Sequence, residues 1–418
     1  MREVVVTAYG VVAPLGIGVP EFRRRMFAGD SGTVEIRGTL VAANFPISSA
    51  GLVARDRLGQ PFVLGDEDPA STPQSWRFAG IATEEALESL PAGLNVDAIV
   101  YATSDGISFD LIKDSFRCLE PERFDWDGTR SETVLELLAQ VLEEGGHYLA
   151  GDAALIGLNN ACVSGNQAIG MAFHRIRSGR WERAVVGGVD ARCSDHNFMN
   201  FHMLGALTTA EVPAREASRP FSRDRCGFVR GEGAATLVLE SREAAEGRGA
   251  PVLGVVAGYG STTDAYRLTD GRPDGVAVVR AMQRALEDAG LSTEAVSVIS
   301  AHGTSTRMND SLETKSIKEA FGDRAHSIPV TSLKSQIGHS TLAAGAIEAV
   351  ACLLMLEEQR VAPTINYAEP DPECDLDYVP NVSRSERLEV VLSNNFGFGG
   401  QNSCVVFKRE RPRRASSR

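Results

Sequence analysis

The chain has 418 residues, of which 23% are charged and 43% hydrophobic, and a formal net charge of −13. That length exceeds one typical core and implies two domains or a duplicated one, and the acidic balance argues against nucleic acid as the main partner. No apolar run approaches the ~20 residues of a membrane span, and the seven cysteines show neither paired nor Cys/His metal spacing, so a soluble protein of a reducing cytoplasm is expected.

The N-terminal run Val4 to Gly10 predicts a strand ending in a turn, without the layout of a signal peptide. A helix over Val19 to Ala28 closes at Gly29. Asn44 to Ser75, with Pro46, Gly59, Pro61, Pro69 and Pro73, reads as surface loop. A helix from Arg77 to Leu90 leads to a buried strand, Val96 to Ala102. Phe109 to Trp126 is polar and matches no periodic pattern. Ser131 to Glu144 is an amphipathic helix with Val134, Leu138 and Val141 in a stripe, expected at a two-fold or pseudo-two-fold interface, with the chain's own core as the alternative.

The apolar run Ala153 to Leu158 predicts a buried strand, and Ser164 to Arg177 shows helical spacing at Ala168, Ile169, Ala172, Phe173 and Ile176. Between them lies Cys162, placed by this reading in the first turn of a helix, where free N–H groups and the macrodipole favour thiolate. A strand over Arg183 to Val189, a helical segment through Phe198, Phe201 and Leu204, a loop from Ser218 to Ala234 and a strand over Ala235 to Glu240 complete the first half.

The second half echoes the first. Val255 to Gly260 parallels Val4 to Gly10, Val296 to Ala301 parallels Val96 to Ala102, Val330 to Leu333 parallels the strand before Cys162, and Val390 to Ser393 parallels Val185 to Val189. Strands alternating with helices imply mostly parallel sheets, and a duplicated, five-layer α/β/α/β/α fold fits. The expected units are residues 1–250, residues 251–410 and a frayed basic tail, 411–418.

Four strand ends carry unusual chemistry: Cys162; His302 in Ala301-His302-Gly303-Thr304-Ser305-Thr306; Lys334 and His339 in Leu333-Lys334-Ser335-Gln336-Ile337-Gly338-His339; and the glycine-rich turn Asn395-Phe396-Gly397-Phe398-Gly399-Gly400. Singly, each has a bland explanation, such as a satisfied polar residue or a solvated lysine. Together, over about residues 3 to 407, they resemble the elongating β-ketoacyl-acyl-carrier-protein synthases of the thiolase fold.

That resemblance implies decarboxylative Claisen condensation between an acyl thioester and a malonyl-carrier extender. Cys162 would accept the acyl group, His302 and His339 would face the thioester carbonyl, and Lys334 would be the buried lysine, with Glu313 the acid associated with it. Thr304 and Thr306 would contact the pantetheine arm, and Phe398 would gate an acyl pocket lined by Ile107 and Phe201. The N–H groups of Cys162 and Phe398 would form an oxyanion hole. No metal or organic cofactor is implied beyond the carrier's phosphopantetheine, and the expected partners are acyl carrier protein and a second subunit, identical or homologous. Thiolases place a second cysteine where this chain has Phe398 and Asn402; chain-length factors lack the nucleophile that it keeps.

The sequence departs from the family pattern at Asn160, Val163, Gly205, Arg307 and Gln401, and most across Ser108 to Gly151. These departures favour a polyketide or polyene-type enzyme over a housekeeping elongator. A non-elongating acyltransferase, or a partner subunit of a heteromeric pair, is the alternative.

Overall fold

A computed structural model describes residues 1–36, 46–54, 73–104 and 133–410. Ile107, the run Phe109 to Trp126, most of the proline-rich loop and the basic tail lie outside the described residues. The elements that position the site are β1 (Val4–Ala13), α1 (Val19–Ala28), α2 (Gln74–Glu88), β2 (Asn95–Ala102), α3 (Val134–Glu144), β3 (Tyr148–Leu158), α4 (Ser164–Arg177), β4 (Arg183–Asp190), α5 (Asp195–Met203) and β5 (Gly233–Ser241). The series continues with β6 (Gly254–Thr263), α6 (Val276–Ala289), β7 (Val298–Ser300), α7 (Arg307–Phe321), β8 (Val330–Thr331), α8 (Ala344–Glu358), β9 (Val390–Gly397) and β10 (Gln401–Lys408).

The strands run in the order β8-β7-β9-β10-β6-β1-β5-β4-β2-β3, and the short strand Gly16–Ile17 pairs with β1. Read outward from the β1–β6 pair, the two halves have one topology. β5 is antiparallel to β1 and β4, and β2 is parallel to β4 and β3. Likewise β10 is antiparallel to β6 and β9, and β7 is parallel to β9 and β8. The sheet is therefore mixed rather than mostly parallel. β10 follows β9 after a turn too short for a crossover and so returns antiparallel, whereas β5 returns antiparallel to β4 after a longer connection that carries α5. All four internal echoes in the sequence fall on equivalent strands.

Helices α2 and α3 cover the outer face of the first half and α6 and α7 that of the second, while α4 and α8 lie between the halves and touch strands of both. This is the expected five-layer arrangement. Helix α8 is buried from Ala344 through Leu356, as an all-round apolar helix must be. The N-terminal ends of the two central helices meet at glycine: a Cβ on Gly165 would lie 2.6 Å from the Ala346 nitrogen, and one on Gly345 would lie 2.6 Å from that of Asn166. This close approach brings the chain before α4 against the chain before α8, where the reactive residues are.

The stripe on α3 covers the chain's own core. Thr133 and Glu136 form a capping box at its start, and Val134, Leu138 and Val141 are buried in the cluster with Phe78, Ala82 and Ile99. They are not available to an interface, so the expected interface position is corrected to the chain's own core.

Candidate active site

Cys162 sits in the turn between β3 and α4, just before the helix cap rather than in its first turn, because Val163 is the N-cap and Ser164 the first helical residue. The turn is tight. Ala161 has φ +52°, a conformation that costs a non-glycine residue on the order of 1 kcal/mol. The Ser164 hydroxyl fixes it by donating to the Ala161 carbonyl at 2.7 Å and accepting the Asn160 N–H at 2.8 Å. Burial pushes the Cys162 thiol up to about 11, and the nearby charges of Lys334 and Arg230 pull it down without prevailing. The expected resting thiolate is therefore corrected to a thiol: the sulfur is buried, and desolvation of the anion outweighs the helix terminus.

His339 Nε2 lies 3.0 Å from Cys162 Sγ, and its Nδ1 accepts the Thr341 backbone N–H at 3.3 Å. A neutral imidazole with an occupied acceptor at Nδ1 carries its hydrogen on Nε2. His302 stands across from it, ring centroids 5.3 Å apart at 85°. Burial first, then the Lys334 charge, holds both imidazoles well below their ordinary value, so both are neutral at pH 7. The carboxylate of Glu313, on α7, accepts the N–H groups of His302 at 2.9 Å and Gly303 at 2.8 Å. Glu313 thus anchors the His302 loop.

Lys334 pairs instead with Glu348 on α8, at 2.5 Å, and both are buried. Asn395 completes the group by donating to the other Glu348 oxygen at 2.8 Å. The assignment of Glu313 as the acid associated with Lys334 is thereby corrected. Glu348 left a signal in the sequence: a single charge within Ala344-Gly345-Ala346-Ile347-Glu348-Ala349-Val350-Ala351 needs a buried partner. Asp190 and Arg230, both buried behind His339, went unnoticed because each reads as an ordinary strand-end charge.

A cavity of about 210 Å³ opens over these groups and is lined by Cys162, His302, His339, Thr304, Thr306, Phe201 and Phe398, among others. The hydroxyls of Thr304 and Thr306 are 2.9 Å apart, and Thr306 also caps α7. The rings of Phe201 and Phe398 are 6.2 Å apart. Phe398 occupies the β9–β10 turn, where Gly399 and Gly400 adopt φ of +82° and +74°. Beside it, a Cβ on Gly397 would come within 3.2 Å of the Cys162 nitrogen, so this turn runs against the backbone of the cysteine loop. Of the expected site residues, all but Ile107, which lies outside the described residues, converge on this cavity or directly support it. Among the described residues, no cluster of three His, Cys, Asp or Glu side chains could hold a metal ion.

A nucleophile at a strand-to-helix turn, two neutral imidazoles and a buried lysine on a duplicated α/β fold define a condensing acyltransferase of the thiolase type. The models of the N-terminal and C-terminal domains of beta-ketoacyl synthase match residues 152–245 and 253–368. The chain is 37% identical to 3-oxoacyl-[acyl-carrier-protein] synthase 2 of Synechocystis, over 98% of each protein. It is 35% identical to the tetracenomycin polyketide synthase ketoacyl synthase alpha subunit of Streptomyces glaucescens, over 99% of each. Among solved structures, it is similar to a chain in the complex of a type II polyketide acyl-carrier protein with its ketosynthase bound to the hexaketide (34% identity, 98% of this chain and 100% of that one, TM-score 0.86). The ishigamide ketosynthase/chain length factor is similar too (32% identity, the same coverage, TM-score 0.84). This chain belongs to the β-ketoacyl synthase family. No helix among the described residues is long and apolar enough to cross a membrane.

Proposed function

We propose that this chain condenses an acyl group held on Cys162 with a malonyl extender carried by acyl carrier protein, giving a β-ketoacyl thioester in fatty-acid or, by its departures from the elongator pattern, polyketide or polyene-type biosynthesis. The observation that carries the reading is the convergence of Cys162, His302 and His339 on one cavity, with His339 Nε2 3.0 Å from the sulfur. In the first step the sulfur loses its proton and attacks the carrier thioester; the carrier thiol leaves with a proton and the acyl group stays on Cys162. The N–H groups of Cys162 and Phe398 hold the tetrahedral oxyanion, at ~3 kcal/mol per donor.

The malonyl thioester then binds with its carbonyl between the two imidazoles. Breaking the bond to the carboxylate releases carbon dioxide and sends the electron pair into an enolate, whose oxygen is held by Nε2–H of His302 and His339. The enolate carbon attacks the acyl-cysteine carbonyl; the new C–C bond forms and the Cys162 sulfur leaves as thiolate. Lys334, paired with Glu348, supplies a fixed positive charge behind these groups, and Thr304 and Thr306 offer hydroxyls to the pantetheine amides. No resident cofactor enters this sequence. Retention of the nucleophile and both histidines supports condensation over a purely non-elongating or scaffold role.

The carrier protein is the delivering partner, as in the solved relative that contains one, and the subunit works as a dimer with a second copy or a homologue. The edge strand β3 supports pairing: among the described residues no strand pairs with its outer side, Tyr148 is 60% exposed and Leu155 is 42% exposed. A long unpaired edge of this kind is a ready template for another strand. A cytoplasmic setting suits the free cysteines among the described residues.

Intact-protein mass spectrometry after exposure to acyl carriers tests the reading directly: a single acyl adduct on Cys162 is expected, together with carbon dioxide release from malonyl carrier. Purified protein that forms the adduct yet releases none would turn the assignment to the acyltransferase alternative. Light scattering of the purified chain, alone and with a homologue, tests the dimer.

A further inference from the structure

The orientation of His339 is set from a place the reaction does not reach. Its Nδ1 accepts the N–H of Thr341, and Thr341 holds φ +36°, a left-handed conformation that a β-branched residue avoids. Something must hold Thr341 there. Its hydroxyl donates to Oδ2 of Asp190, the last residue of β4. Asp190 is itself buried and multiply anchored: Arg230 Nη2 donates to Oδ1 at 2.5 Å, Arg192 Nη2 to Oδ2 at 2.8 Å, and the Arg192 backbone N–H to Oδ1 at 3.1 Å.

Arg230 is fully buried as well, and it ties the group back to the same histidine, with Nη1 donating to the His339 carbonyl at 3.0 Å and Nε to Asn197 Oδ1 at 2.9 Å. His339 is thus gripped at its carbonyl by Arg230 and at its ring, through Thr341, by Asp190. Burial alone would push the Asp190 carboxyl up, but Arg230, Arg192 and the Thr341 hydroxyl hold it well below the usual range. The anchor is therefore charged at any working pH.

We propose that Asp190, held by Arg230 and Arg192, acts through Thr341 as a positioning group that fixes His339 in the tautomer bearing hydrogen on Nε2. The reacting side of the ring then always presents a donor. This rests on the reading of His339 as an N–H donor to the enolate, and its consequence is specific: without the clamp, the Nδ1–H tautomer becomes accessible and turns a lone pair toward the forming negative charge.

The test uses the full chain labelled with 15N at histidine, with the His339 signals assigned by comparison with His339→Gln. Wild-type protein should show His339 with a bare Nδ1 and a protonated Nε2. Thr341→Val keeps the side-chain shape and removes the hydroxyl. It should populate the Nδ1–H form and lower malonyl-carrier decarboxylation about tenfold, the scale of one weakened donor. Thr341→Ser, which restores the hydroxyl, should return both to wild type. Asp190→Asn gives a second route to the same change should Thr341→Val not fold. A folded Thr341→Val or Asp190→Asn protein with only the wild-type tautomer overturns the inference. Wild-type protein with the expected tautomer but no decarboxylation would strike the functional reading instead and leave the clamp standing.

Discussion

Lys334 and Glu348 form an ion pair inside the protein, with almost no surface on either side chain and Asn395 closing the remaining carboxylate oxygen. Such a pair is costly to break and cheap to replace. Lys334→Met should destabilise the fold by about 3–5 kcal/mol in chemical denaturation, because Glu348 is left buried without its cation. Adding Glu348→Gln, which keeps an acceptor for Asn395, should recover most of that loss. Equal loss in the single and double variants would mean the pair matters for packing alone.

Cys162 reacts as a thiol that must be deprotonated. With its thiol up at about 11, the alkylation rate by iodoacetamide should climb through pH 8 to 10 without levelling. Cys226 is exposed and competes for reagent, so the measurement belongs in a Cys226→Ser background. There Cys162, open to the cavity, should label well before Cys352, which burial pushes up to about 12. A rate already flat at pH 7 would show a resting thiolate.

The two histidines should separate in their effects. His339 touches the sulfur and His302 does not, so His339→Ala should slow acyl loading roughly tenfold, the worth of one charge-assisted hydrogen bond. His302→Ala should leave loading near wild type. Both should depress carbon dioxide release by ~10²-fold or more. These rates can be read side by side by adduct mass and carbon dioxide capture, and loading that fails equally in both variants would assign the histidines a shared role in activating the thiol.

Glu313 makes stability depend on pH. Burial raises its carboxyl to about 7 despite the N–H groups of Gly303 and His302. A folded value above the unfolded one means the native state binds the extra proton, so stability present below ~4.5 is lost as pH rises through 7. The change is at most about 3 kcal/mol. Unfolding free energies of wild type and Glu313→Gln, measured from pH 5 to 8, should show the wild type falling relative to the variant. A constant difference would place the Glu313 carboxyl at an ordinary value.

What the sequence revealed, and what it concealed, follows from range. Cys162, His302, Lys334 and His339 stand out because each follows a short apolar strand, and the strand repeat carries the duplicated fold with it. Partnership is a different matter. Glu313 and Glu348 are both acids on helices after the histidine loops, and only the packing of α8 between the halves decides which one meets Lys334. The cysteine was misjudged because a helix terminus can be read locally, whereas desolvation by walls drawn from distant segments cannot. The α3 stripe shows the same limit: Val134, Leu138 and Val141 announce a covered face without saying which surface covers it. Leu138→Glu would therefore unfold the subunit rather than separate two.

The interleaving of α4 and α8 bears on how the chain is made. α4 emerges from the ribosome early, with Ile169, Phe173 and Ile176 on a face that belongs against strands of both halves and against α8. The last residue of α8 follows the last residue of α4 by about 180 positions, which at ~5–20 residues per second is on the order of 10–40 s of synthesis. During that interval the nascent first half has one side of its sheet and a central helix uncovered. It must be shielded by chaperones or remain loosely collapsed, and the nucleophile's turn cannot set until its distant counterpart arrives.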